Sequence, residues 1–252
     1  MMELRALLFD CDGVLAETER DGHRTAYNRA MKALGIDAEW DVDEYGDLVR
    51  ISGGKERLKH YFEKNRPRFP ESAFGPDLIQ KIYLEKTAIF KEMARKGDMP
   101  PRSGIARVVR EAHDAGVMLF ICSTSHRESV ETLLRKNYGE DVCSWFTELF
   151  CGDVVARKKP APDIYLLVKH SYRLNPDCCC VIEDSRNGLL AAKAAGMRCL
   201  ITKSYYTQDE DFSEADGVVS CLGDPGGEQS LVYGGRLQKE RPYITLRDIQ
   251  GL

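Results

Sequence analysis

Two periods of apolar residues divide the chain. Ala6 to Phe9 form a short unbroken apolar run that stops at Asp10, the pattern of a strand buried on both faces. From about Arg20 to Leu34 the spacing changes, with Ala26, Tyr27, Ala30, Met31 and Leu34 recurring at three- and four-residue steps, which predicts an amphipathic helix. Further helical spacing covers about 43–51, 54–64 and 76–96, interrupted by Gly53-Gly54 and by the breaker cluster RPRFPESAFGP at 66–76. After MPPRSG (99–104) helix and strand alternate. GIARVVREAHDAG, ESVETLLRKNYG, PDIYLLVKHSYRL and NGLLAAKAAGM predict helices; VMLFICSTS, ELFCGD, CCCVIEDS, RCLITK and finally GVVS predict strands. The tail from about 222 is Gly-rich and then polar, and no element is predicted there.

Such alternation predicts a parallel sheet with helices on both faces. The helical block interrupts it after the first strand, so the expected division is a discontinuous core, 1–16 and 100–252, with an inserted helical cap, 17–99. Several strands end in residues suited to phosphate or metal chemistry. Asp10 follows the first, Ser123 ends the second, Lys158 and Lys159 come after Cys151–Val155, and Glu183 and Asp184 end the CCCVIEDS run. In open parallel sheets, ligands bind outside the carboxyl ends of the strands, so four distant segments can meet at one site. Buried carboxylates such as Asp10 and Asp12 then have candidate partners.

The net charge of −4 among 252 residues offers no basic excess for nucleic acid, and none is expected as a partner. Hydrophobic residues at 43% and charged residues at 30% fit a soluble globular chain. The nine cysteines are odd in number, lack CxxC or zinc-ligand spacing and sit mainly in apolar runs. They read as small hydrophobes in a reducing compartment, a cytoplasm or plastid stroma. No run approaches the ~20 apolar residues that span a bilayer, so no membrane partner is expected. The start MMELRALLFD enters a strand at once and leaves no room for a signal peptide.

The segments DCDGVLAET, STS, KKPAPD and EDSRNGLLAAKAAGM resemble the four ordered motifs of the haloacid dehalogenase superfamily, across residues 10 to 197. The resemblance implies an α/β fold, a Rossmann-like parallel-sheet core with an inserted small α-helical cap. Asp10 would be the nucleophile that forms an aspartyl-phosphate. Asp12 resembles the acid/base carboxylate of the phosphatase and phosphomutase branches, protonating the leaving alkoxide and then activating water. Its proximity to Asp10 predicts a protonated form at neutral pH. Ser123, assisted by Thr124, would hold the phosphoryl oxygens. Lys159, which matches the family's lysine before proline better than Lys158, would offset charge. The Asp10 carboxylate, the Asp12 backbone carbonyl and Asp184, with Glu183 close by or acting through water, form an oxygen-only set suited to Mg²⁺.

Substrate choice falls to the cap. Gly53 and Gly54 precede Lys55, Glu56 and Arg57 where a helix begins, an arrangement that suits an anion. Glu17 and His23 flank the entrance to the cap, and Tyr45 lies within it. DCDGVLAETERDGHR, WDVDEYGDL and GGKER resemble the CbbY-like subgroup, sugar bisphosphate phosphatases associated with carbon fixation. That resemblance implies conversion of xylulose-1,5-bisphosphate to xylulose 5-phosphate and phosphate, with Glu17, His23, Tyr45, Gly53, Gly54, Lys55 and Arg57 as substrate contacts. His23 stands five residues after Thr18, where four is common in relatives such as beta-phosphoglucomutases. The alternatives are a phosphomutase of that kind and a non-catalytic sugar-phosphate-binding protein. A monomer acting on a small sugar phosphate is expected.

Overall fold

The computed structural model describes residues 3–66 and 76–252, and the interior of the predicted breaker cluster, 67–75, lies outside the described residues. Seven strands form one sheet: β1 (Ala6–Phe9), β2 (Met118–Ser123), β3 (Phe146–Cys151), β4 (Cys179–Glu183), β5 (Arg198–Thr202), β6 (Gly217–Val219) and β7 (Val232–Gly235). Their spatial order is β3-β2-β1-β4-β5-β6-β7. The first six pair in parallel, with Phe9 opposite Ile121 on one side and Ile182 on the other, and β7 closes the edge antiparallel.

Strand side chains alternate between two buried layers, which explains the continuous apolar runs. Leu7, Phe9, Ile121 and Ile182 face α5 (Ile105–Asp114) and α6 (Arg127–Trp145). Leu8, Phe120, Val181 and Ile201 face α7 (Asp163–Ser171) and α8 (Arg186–Ala194). Helix α6 runs past the predicted segment because a break at Gly139, with φ of 85°, joins two helical pieces.

Between β1 and β2 lie α1 (Arg24–Ala33), α2 (Val42–Val49), α3 (Gly54–Lys64) and α4 (Pro76–Lys96), with their own core of Tyr27, Trp40, Tyr45, Leu58, Phe62 and Ile82. The helix expected from Arg20 instead opens with a π-turn, Glu19–His23, in which the His23 N–H donates to the Thr18 carbonyl at 2.7 Å. Gly22 lies in that turn, and a Cβ there would stand 2.3 Å from Met99 Sδ. The connectors to this insertion run side by side, linked by bridges Asp12–Ala16 and Ala16–Pro101.

The tail corrects the expectation that GVVS is the last strand. Its β7 segment is half exposed and meets β6 with a slipped register, so it lacks the apolar run of an interior strand. Helix α9 (Leu246–Gln250) then buries Leu246 and Ile249 beside Val108 and Val109 of α5. Arg107 fastens the tail by donating to the carbonyls of Gly223 (2.6 Å) and Ile244 (2.8 Å). Among the described residues no helix is long and apolar enough to cross a membrane. All nine cysteines are free thiols, seven of them buried.

Candidate active site

Strands β1 and β4 are neighbours, and the chain leaves β1 toward one side of the sheet and β4 toward the other, so their carboxyl ends border the topological switch point. Asp10 follows β1, Glu183 ends β4 and Asp184 follows it. The Lys159 ammonium sits among them, donating to Asp10 Oδ1 (2.6 Å), Glu183 Oε1 (2.5 Å) and the Cys122 carbonyl (2.9 Å). Lys158, its neighbour, turns to Asp153 instead (2.7 Å). Burial works against the Lys159 charge, but Asp10 and Glu183 outweigh it and hold the ammonium protonated.

Glu183 is fully buried with its oxygens engaged by protein groups. Tyr165 donates to Oε1 at 2.8 Å, and the Asp184 and Ser185 N–H groups donate to Oε2 at 3.0 and 3.4 Å. Gly188 leaves the space it fills, since a Cβ there would lie 1.9 Å from its carboxyl carbon. Glu183 therefore orients Lys159 and holds the turn that leads into α8, which Ser185 caps, rather than offering a free ligand oxygen.

One ammonium faces three carboxyl groups, Asp10, Glu183 and Asp184, whose oxygens lie within 4.8 Å of one another. Burial, with Glu183 and Asp12 adding and Lys159 opposing, pushes Asp10 up to about 8. Burial and then the Glu183 and Asp10 charges push Asp184 well above the carboxylate range. Such uncompensated negative charge, with oxygen donors only, fits a hard divalent cation held by Asp10 and Asp184.

Asp12 occupies a separate cradle. Thr18 Oγ1 donates to its Oδ1 (2.6 Å), Ser125 Oγ donates to its Oδ2 (2.5 Å), and His23 Nε2 lies 2.8 Å from Oδ1. Burial favours the neutral acid, but the neighbouring His23 and these hydrogen bonds prevail and hold the carboxyl well below the usual range. The expected protonated Asp12 is thus not what this arrangement favours, because the carboxylate faces donors and not Asp10. His23 stacks on Phe90 with ring centroids 4.1 Å apart. Ser123 is buried at the end of β2 and accepts from the Ser125 N–H at 3.1 Å; it does not cap α6, and Thr124 lines the cleft.

The insertion closes the cleft with a second polar group. Arg57 Nη1 donates to the Tyr45 hydroxyl (2.5 Å), which donates to Glu19 Oε2 (2.5 Å), and Arg57 also pairs with Glu19 at 3.5 Å. The buried Arg57 Nε and the Tyr27 hydroxyl have no hydrogen-bond partner among the described residues. Nearby, the Lys86 ammonium lies 4.9 Å from the Tyr27 ring and 5.2 Å from that of Phe90. Burial lowers it to about 8, against the pull of Glu19 and Asp12.

Other expected contacts lie elsewhere. Glu17 accepts from the Tyr205 N–H (3.3 Å) and faces the loop after β5, while Glu19 takes the place by the cleft. Lys55 pairs with Asp153 at 2.8 Å. Gly53 begins α3 with φ of 94°, but the Glu56 carboxylate folds over it and Lys158 packs alongside, so the turn is already covered. Gly54 packs against the Tyr27 hydroxyl, where a Cβ would approach to 2.4 Å. A wider groove of about 620 Å³ beside Arg24, Asn28 and Lys32 holds none of the candidate carboxylates.

Sequence reasoning missed Thr18, Glu19, Lys86 and Ser125. Thr18 and Ser125 lie inside recognised motifs, but spacing alone does not tell which hydroxyl meets which carboxylate. Lys86 carried a readable signal: it interrupts the buried stripe Ile82, Phe90, Met93 of α4 at a helical step.

The family model for haloacid dehalogenase-like hydrolases matches residues 4–196. A CBBY-like protein of Arabidopsis thaliana is 43% identical over 242 residues, spanning 94% of this chain and 75% of the relative. A crystal structure of CbbY from Rhodobacter sphaeroides in complex with phosphate superposes with a TM-score of 0.80 at 39% identity, over 86% of this chain and 94% of that one. A variant of the same protein crystallised with xylulose-1,5-bisphosphate matches to the same degree. With the parallel sheet, the four motifs at its strand ends and these relatives all in agreement, the chain belongs to the haloacid dehalogenase-like hydrolases, in their CbbY-like branch, and is a phosphoric monoester hydrolase.

Proposed function

We propose that the protein is a Mg²⁺-dependent sugar bisphosphate phosphatase that converts xylulose-1,5-bisphosphate to xylulose 5-phosphate and phosphate. The observation that carries this reading is one cleft walled on one side by Asp10, Lys159 and Asp184 and on the other by Arg57 and Glu19. A substrate with a phosphate at each end matches two such walls, and the relative crystallised with that bisphosphate supports the choice. Residues 17–99 act as the cap over a core of 1–16 and 100–252.

Asp10 attacks phosphorus, the bond to the sugar oxygen breaks, and an aspartyl-phosphate forms. The leaving alkoxide takes a proton through the Asp12–His23 pair. The Asp12 carboxylate then accepts a proton from the water that cleaves the acyl-phosphate. Lys159 and the Ser123 hydroxyl hold the transferring oxygens. Mg²⁺ bound by Asp10, Asp184 and the Asp12 carbonyl would supply charge compensation for the phosphoryl group. Arg57, oriented by Tyr45 and Glu19, holds the distal phosphate, with Lys86 adding positive charge. A reducing cytoplasm or plastid stroma suits nine free thiols.

The test is phosphate release, with Mg²⁺ and with EDTA, from xylulose-1,5-bisphosphate, ribulose-1,5-bisphosphate, fructose-1,6-bisphosphate and beta-glucose 1-phosphate. Mg²⁺-dependent preference for the first is expected. Equal rates on all four would remove the substrate assignment, and primed isomerisation of the glucose phosphate without phosphate release would favour a mutase.

A further inference from the structure

Arg102 stands on the connector that returns from the insertion, one residue after the Ala16–Pro101 bridge, and its N–H donates to the Leu15 carbonyl (2.9 Å) on the outgoing connector. Its guanidinium reaches into the core and gathers four backbone carbonyls. Nη1 donates to Gly13 and to Thr202 (3.0 Å); Nη2 donates to Lys203 (2.6 Å) and Ser220 (2.6 Å). A planar fork of fixed donors suits this gathering of carbonyls, and a lysine could not reproduce it.

Two of these carbonyls belong to the walls around Asp184. Gly13, with φ of 78°, packs so closely that a Cβ would lie 2.1 Å from Asp184 Oδ2. Ser204, next after Lys203, stands against the same place: its Cβ lies 3.1 Å from where that Gly13 Cβ would sit. Arg102 thus holds both walls at a set separation, while its own hydrogen bonds go to backbone carbonyls and to the Thr202 hydroxyl rather than to Asp184 or Asp10.

We propose that Arg102 is a positioning residue that fixes the Asp184 carboxylate relative to Asp10 and thereby sets the affinity of the site for its divalent cation. The proposal rests on reading Asp10 and Asp184 as the cation ligands.

The experiment is Mn²⁺ titration of the EDTA-treated, dialysed full chain, followed by electron paramagnetic resonance of the free ion and by calorimetry. Arg102→Met, Arg102→Lys and Asp184→Asn are compared with the wild type, with circular dichroism confirming folding. Loosening support behind a ligand is expected to weaken Mn²⁺ about 10-fold or more in both Arg102 variants. KM for substrate at saturating Mg²⁺ should stay within about 3-fold, because the Arg57 wall is untouched. If Arg102→Met does not fold, Arg102→Lys decides alone. Unchanged Mn²⁺ affinity in a folded Arg102 variant, with Asp184→Asn impaired, would overturn the positioning role. Wild-type affinity in Asp184→Asn would instead overturn the ligand reading itself, and the proposal with it.

Discussion

His23 Nε2 lies 2.8 Å from Asp12 Oδ1, although His23 stands five residues after Thr18, one more than an ordinary helical turn would carry. The π-turn Glu19–His23 accounts for this, since its i→i+5 bond absorbs one extra residue and returns the following helix to register. Asp21 is exposed in that turn. Its deletion should restore an ordinary turn, keep the contact and hold kcat within about 10-fold, whereas His23→Ala should lower kcat by ~10²-fold. Steady-state kinetics of the two variants checks this, and a larger loss on deletion would show that the turn does more than absorb length.

Metal-free stability should fall as pH rises. Asp10 binds its proton in the folded protein up to about pH 8, against 3.8 for the unconstrained group, so the folded state holds more protons between those values. Stability is then lost progressively across that window as pH climbs, and Asp184 acts in the same direction. Thermal melts in EDTA from pH 4.5 to 8 should show the decline, Mg²⁺ should reverse it, and Asp10→Asn should flatten it while abolishing turnover. A pH-independent difference between wild type and Asp10→Asn would refute the linkage.

Arg57→Ala should act on substrates according to their far end. Loss of a charge-assisted contact worth roughly 1.5–3 kcal/mol corresponds to a ~10- to 100-fold rise in KM for a bisphosphate. A simple monophosphate should change by less than about 3-fold. Equal losses on both would remove the distal anion contact from the account.

Asp153 accepts from Lys55 of the insertion and Lys158 of the core, and hydrogen bonds from Lys158 and then Lys55 lower its carboxyl to about 2. Because Asp153 is exposed, Asp153→Asn should cost under ~1 kcal/mol of stability. It should still raise KM a few-fold at low ionic strength, with the difference vanishing in ~0.5 M salt as the ion pairs are screened. A persistent KM effect in salt would point to direct substrate contact.

The parallel core was legible because its strands are buried on both faces and leave unbroken apolar runs. The antiparallel β7 was not, since a half-exposed edge leaves neither an apolar run nor strict alternation. At the site, Asp10 and Asp184 were readable from strand ends and Lys159 over Lys158 only from the family resemblance, whereas Lys55 and Arg57, two residues apart, looked equivalent. Only packing separates them: Arg57 is buried beside Tyr45, and Lys55 reaches outward to Asp153. Glu17 lies before the π-turn and accepts from the Tyr205 N–H, while Glu19, the first residue of that turn, lines the cleft; spacing alone did not single out Glu19.

The bridge between Ala16 and Pro101 places the two ends of an eighty-odd-residue excursion on adjacent backbone positions. To the sheet, everything between them branches from one pair of neighbouring connectors. Thr18 and His23, at the root of that branch, reach back to Asp12 and serve the reaction, whereas Arg57 and Tyr45 stand further out. A lineage built this way can acquire a new substrate by altering the outer part of the branch while keeping its root and the strand order.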